Sequence, residues 1–178
     1  MKDFRLVMLG GVIIAFAGIA LMLDALFSPK TTLQSEISYP ALMSISLPDI
    51  ADKPQALGQW QGKLLAINFW ATWCAPCREE IPVFSLMQEK YAAKGLQIVG
   101  IAADKPDKVV QFLKTENFRY PALIDLTSAM DLSKRLGNRL GLLPHTIIFN
   151  AEGKIVLNKL GQIQESELEN IILRNLAK

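Results

Sequence analysis

Cysteine and histidine are nearly missing from this chain of 178 residues, which has two cysteines, Cys74 and Cys77, and one histidine, His145. A single bond between cysteines so close in sequence closes a tiny ring and constrains little of the unfolded chain, so a disulfide-built scaffold is excluded. With His145 they supply three Cys or His ligands, one short of the four a structural zinc takes, which leaves only a zinc site shared between two chains. Charge of one sign is also scarce: 19 Lys and Arg against 17 Asp and Glu leave +2. With no basic run and no Arg stripe, neither nucleic acid nor a strongly charged partner is favoured. No internal repeat and no low-complexity tract is present. The length suffices for one domain with a proper core.

What the chain has in excess is apolar sequence at its start. Leu6–Leu23 runs 18 residues without a charge, after Lys2 and Arg5, and Ala25–Phe27 extends the run past Asp24. That length suits a membrane span better than a signal-peptide core. The positive charges before it favour a cytoplasmic N-terminus. The expectation is an anchor at 1–27, a polar tether at 28–42 and a domain at 43–178. A cleaved signal peptide is the other reading. Both put the domain in one oxidising compartment outside the inner membrane, the periplasm in a Gram-negative bacterium.

Periodicity then gives an α/β order. Met43–Leu47 alternates as an edge strand, and Leu64–Trp70 and Leu96–Ala102 are apolar runs suited to buried strands. Between them Ile81, Phe84, Met87 and Tyr91 recur at helical spacing, with a stop at Gly95. Asp104 and Pro106 mark the start of a helix with Val109, Val110 and Leu113 on one face. A short strand at Pro121–Asp125 and a short helix at Ala129–Leu136 follow. His145–Phe149 and Lys154–Leu160 form a hairpin, and Ser166 with Glu169 forms a capping-box pattern for a last helix. Such alternation predicts a central mixed sheet flanked by helices.

Both cysteines lie where the strand Leu64–Trp70 ends and the next helix begins. Free backbone N–H groups and the helix dipole favour a thiolate there. Asn68 stands in the strand and has no acid–base capacity near neutral pH. Glu80 follows Cys77 by three residues, on the same helix face. Placed there, a half-buried carboxylate could move a proton to or from Cys77; the other reading is a surface glutamate in a first turn. Glu79 reads as solvated.

The run Phe69-Trp70-Ala71-Thr72-Trp73-Cys74-Ala75-Pro76-Cys77, with Pro82 beyond it and Pro144 downstream, resembles the active site of the thioredoxin fold. Trp60-x-Gly62-Lys63, the apolar N-terminus and Glu80 narrow the resemblance to membrane-anchored TlpA/ResA-type thiol–disulfide oxidoreductases, near the CcmG group. It implies a thioredoxin-like fold, with Cys74 as the exposed attacking thiol and Cys77 as the buried resolving thiol. Pro76 would hold the turn. Glu80 would replace the buried acid that the pattern usually has at the position of Asn68. Pro144 would be a cis-proline that aligns Leu143 with an incoming peptide, and Trp73 a docking surface, with Trp70 in the core. His145, next to Pro144, either favours the Cys74 thiolate or is a strand residue without a catalytic part.

The implied activity is reduction of client-protein disulfides by a monomer, with no cofactor beyond the Cys74–Cys77 pair. The implied electron donor is a membrane thiol carrier of DsbD/CcdA type. Clients of the implied kind are apocytochrome c, in cytochrome c maturation, or copper-site assembly proteins. An oxidant or isomerase is a second redox reading. A thiol-based chaperone or copper-delivery module without turnover is the alternative from another class.

Overall fold

The computed structural model describes residues 36–176. The expected anchor and most of the expected tether lie outside the described residues. Among the described residues no helix is long and apolar enough to cross a membrane.

Two strands form the centre. β3 (Leu64–Trp70) and β4 (Leu96–Ala102) are buried along their whole length. Strands buried along both faces and mostly apolar belong in a sheet covered on both sides. They pair in parallel, from Leu64 opposite Leu96 to Trp70 opposite Ala102. The crossover between them is the helix α2 (Ala75–Tyr91). The next crossover, α3 (Pro106–Leu113), leads to β5 (Ala122–Ile124), parallel to β4. On the other side β6 (His145–Phe149) runs antiparallel to β3, and β7 (Ile155–Leu160) antiparallel to β6. The sheet order is β5-β4-β3-β6-β7, mixed as the sequence predicts.

Alternation along each strand divides the core. Leu64, Ala66, Ile98 and Ile148 pack with Phe84, Met87 and Tyr91 of α2 and with Leu168 and Ile172 of the last helix, α5 (Glu165–Leu176). Leu65, Ile67, Phe69, Ile101 and Ile147 face Ala129 and Leu132 of α4 (Leu126–Arg135). Burying Phe84 fixes α2 on the sheet, and its truncation to Ala would cost about 3–5 kcal/mol. Pro82 sits inside α2 without ending it. The stop comes at Gly95, whose φ of 104° is costly for other residues.

Several expectations are corrected. The domain begins earlier than residue 43. Ile37, Leu42 and Met43 are buried, and Ser38 caps a short helix, α1 (Tyr39–Met43). The Tyr39 ring packs 5.3 Å from that of Phe149. It also lies over Gly153, where an added Cβ would be 2.3 Å from it. The Ser, Thr and Pro content of 28–42 hid these apolar anchors. The edge strand is β1 (Ser46–Pro48), paired with β2 (Pro54–Ala56) in a separate two-stranded sheet. Asp104 does not cap α3: Lys105 is the cap residue and its side chain makes no capping bond. α4 starts earlier than Ala129, because the Asp125 carboxylate accepts from the Ser128 N–H at 2.8 Å. Ser166 lies within α5 rather than before it, and the Glu169 carboxylate accepts from Tyr91 Oη at 2.6 Å and pairs with Lys90.

Candidate functional site

β3 ends at Trp70, and after four intervening residues α2 starts at Ala75. Cys74 is the cap residue of α2, and its Sγ accepts from the Cys77 N–H at 3.3 Å. Cys74 and Cys77 are joined in a disulfide. Pro76 occupies the first turn, where a missing N–H costs nothing. The same N–H groups and helix dipole favour Cys74 as a thiolate once the bond is opened. Cys74 is the more accessible cysteine, but at 5% exposure in this state it is not the open thiol expected from sequence.

The loop before the cysteines is tied down by a residue that sequence reading missed. One Asp104 oxygen accepts from the Thr72 N–H at 3.1 Å and from the Thr72 hydroxyl. Trp73, next to Cys74 in the chain, stands 69% exposed. Trp70 is buried, its ring 5.5 Å from Phe112 and 5.7 Å from Phe118.

Glu80 is fully buried, and the surface-glutamate alternative falls with that. Its carboxylate accepts from Asn68 Nδ2 at 2.7 Å and from the Ile163 N–H at 3.1 Å. Asn68 Nδ2 also donates to Thr146 Oγ1 at 3.1 Å. Burial pushes the Glu80 carboxyl up from 4.5 to about 7; the Ile163 N–H, Asn68 and the charge of Lys159 only oppose that shift. A carboxyl poised near neutrality can both take and return a proton. Cys77 lies one turn earlier on the same helix and is also fully buried. Glu79 is exposed. So Asn68, without acid–base capacity of its own, is a donor that holds the buried Glu80 carboxylate.

The Leu143–Pro144 peptide bond is cis. Leu143 packs against the cluster of Trp70, Ala71, Cys74 and Cys77, which brings the proline loop to the disulfide. His145 faces the opposite side of the sheet. Its ring stacks on Phe69 at 5.4 Å. Nδ1 is 2.9 Å from Ser133 Oγ and Nε2 is 2.9 Å from Asn158 Oδ1. Burial lowers its pKa, which keeps it neutral. The strand-residue reading of His145 therefore holds over a direct thiolate partner. Among the described residues no group of three or more His, Cys, Asp or Glu is placed to hold a metal ion.

Residues 38–172 match the family model described as Redoxin. The chain belongs to the redoxin family. Within it, the thiol–disulfide oxidoreductase ResA of Bacillus cereus (strain ZK / E33L) is 31% identical over 126 residues, covering 70% of each chain. ResA of Bacillus subtilis (strain 168) is 28% identical over 160 residues, 87% of this chain and 82% of its own. A putative thiol:disulfide interchange protein DsbE from Chlorobium tepidum superimposes with a TM-score of 0.70 at 27% identity, over 82% of this chain and 99% of its own. This redoxin is a ResA-like, thioredoxin-fold thiol–disulfide oxidoreductase, with a Cys74–Cys77 pair suited to dithiol exchange.

Proposed function

We propose that this redoxin reduces disulfides of client proteins in an extracytoplasmic compartment, held at the inner membrane by residues 1–27. The Cys74 thiolate attacks a client disulfide, forms a mixed disulfide and releases one client thiolate. Cys77 then gives its proton to the Glu80 carboxylate and attacks Cys74 Sγ. The second client thiolate leaves, takes up a proton, and the Cys74–Cys77 bond is restored. Two electrons pass to the client in each cycle. A membrane thiol carrier of DsbD/CcdA type returns them, so no further cofactor is needed. The clients are apocytochrome c or a copper-site assembly protein, met by a monomer. During docking the backbone at Leu143, fixed by cis-Pro144, aligns the client segment as an added strand, and Trp73 and Pro76 border it.

The observation that carries this reading is Glu80: a buried carboxyl one helical turn after Cys77, held by two donors and brought to about 7. The test is to express Cys77→Ala in cells and identify what remains bonded to Cys74. A client disulfide protein attached there is the expected result. Recovery of none from expressed, reduced protein would overturn the reading. The reduction potential separates directions: a strongly negative value fits a reductase, and one near the oxidising end makes the protein an oxidant.

A further inference from the structure

Behind the cis-proline loop lies a chain of buried polar side chains that dithiol exchange does not use. Its order follows from donors and acceptors. Asn158 Nδ2 donates to the Leu136 carbonyl at 2.8 Å, so its Oδ1 faces His145 Nε2 at 2.9 Å and must accept. His145 therefore carries its proton on Nε2 and accepts at Nδ1. The partner there, 2.9 Å away, is the Ser133 hydroxyl, which donates. With its proton committed, Ser133 Oγ can only accept, and it does so from Asn138 Nδ2 at 2.9 Å. That fixes which way the Asn138 amide points. Asn138 then brackets one residue of the proline loop: Oδ1 accepts from the Leu142 N–H at 3.0 Å and Nδ2 donates to the Leu142 carbonyl at 2.7 Å. Leu142 immediately precedes Leu143. Ser133, Asn138 and His145 are all buried.

We infer that Asn138, oriented through Ser133 by the neutral His145, is the positioning residue that sets the Leu142–Leu143 backbone for a client peptide. The inference rests on the reading of Leu143–Pro144 as the client shelf. The side-chain amide acts as a short strand partner for Leu142, and it holds the segment just before the shelf from behind. The shelf would otherwise depend on a loop whose outer side chains, Leu140 and Leu142, are exposed. A disulfide in a peptide needs that backbone; a small disulfide does not. The relay therefore serves client recognition and not the thiol chemistry itself.

The experiment uses the full chain and compares kcat/KM for a peptide containing a disulfide with that for bis(2-hydroxyethyl) disulfide, which has no peptide backbone. Asn138→Asp keeps the shape but cannot donate to the Leu142 carbonyl. The ratio of peptide to small disulfide is expected to fall about tenfold, as losing the one bond to the loop carbonyl implies, while the second lost bond, to Ser133 Oγ, lies behind the loop. Ser133→Ala, the milder change, is expected to lower it about threefold and stands in if Asn138→Asp does not fold. A general loss of stability lowers both reactions together and leaves the ratio unchanged, and that result overturns the inference. Pro144→Ala separates the two readings. If it lowers the ratio while Asn138→Asp and Ser133→Ala do not, the shelf stands and this inference alone fails. If Pro144→Ala leaves the ratio unchanged, the shelf reading itself fails and the inference with it.

Discussion

Two neighbouring residues of β6, His145 and Thr146, enter opposite faces of the sheet and meet opposite kinds of polar surroundings. On the His145 face the polar groups close on one another: Ser133, Asn138 and Asn158 give each imidazole nitrogen a partner and tie the chain to backbone groups of Leu136 and Leu142. On the Thr146 face the account is left open. Glu80 is held by Asn68 and Ile163, yet Asn68 Oδ1, Trp70 Nε1 and Tyr120 Oη are buried without a partner. The closed network has one favoured protonation state and is suited to holding backbone. The other buries a carboxyl, and that burial brings it to about 7, a range in which a group can exchange protons with a thiol. Burial acts on both faces but moves the two groups oppositely, raising the Glu80 carboxyl and lowering the His145 imidazole, so the kind of group buried separates the faces.

The largest expected effect breaks the open face. Glu80→Gln is expected to slow resolution of a mixed disulfide by two to three orders of magnitude, on the order of a lost general base. Glu79→Gln should leave it as it was. Rapid-mixing kinetics with a peptide disulfide measure both.

Stability should separate the two faces next, because their buried groups respond to pH with opposite sign. The Glu80 carboxyl binds its proton more tightly folded than unfolded, with a pKa raised from 4.5 to about 7. The oxidised protein should therefore lose stability as pH rises through that window. Relative to wild type, oxidised Glu80→Gln should gain on the order of 3 kcal/mol at pH ~8 and nothing at pH ~4, by the free-energy equivalent of that shift. His145 runs the other way. Its folded pKa is lowered from 6.5 by burial, so its contribution is present above 6.5 and is lost as pH falls through the folded value. Denaturant titrations across pH measure both slopes.

Filling the closed face without its bonds should cost less. His145→Phe keeps a ring against Phe69 but leaves the Ser133 hydroxyl proton and Asn158 Oδ1 without the partners they have in the imidazole. A loss of about 2 kcal/mol is expected at pH ~7, from stranded buried polar groups. The acid-side decline attributed to His145 should vanish with it. The smallest effect sharpens the open face. Asn68→Ala removes a donor to the ionised carboxylate, and the Glu80 titration should move up by about one pH unit.

Much of this could be read in sequence, where the signal is local. The Cys-x-x-Cys at a strand–helix junction, the buried runs of β3 and β4 and the apolar stripe of α2 all follow from spacing between near neighbours. Glu80 was reachable through its place one turn after Cys77, but its burial was not, since Ile163 meets it from far along the chain. Asn68 offered a signal that was read too narrowly. An amide inside an apolar strand must find a buried partner, and here that partner is the acid. Asp104 looked like a helix cap because Pro106 follows it; its carboxylate goes instead to Thr72, across a crossover. His145 could not be assigned to a face until strand register was known. The early start of the domain was hidden because Ile37, Tyr39 and Leu42 stand among polar residues.

The most direct measurement follows resolution of the mixed disulfide, in single turnover, across pH 4 to 9 for wild type, Glu80→Gln and Glu79→Gln. The expected result is an inflection near pH ~7 in wild type and Glu79→Gln that is absent in Glu80→Gln. Superimposable profiles for Glu80→Gln and Glu79→Gln would contradict a proton-transfer role for the buried carboxyl and leave Glu80 as a structural residue of α2.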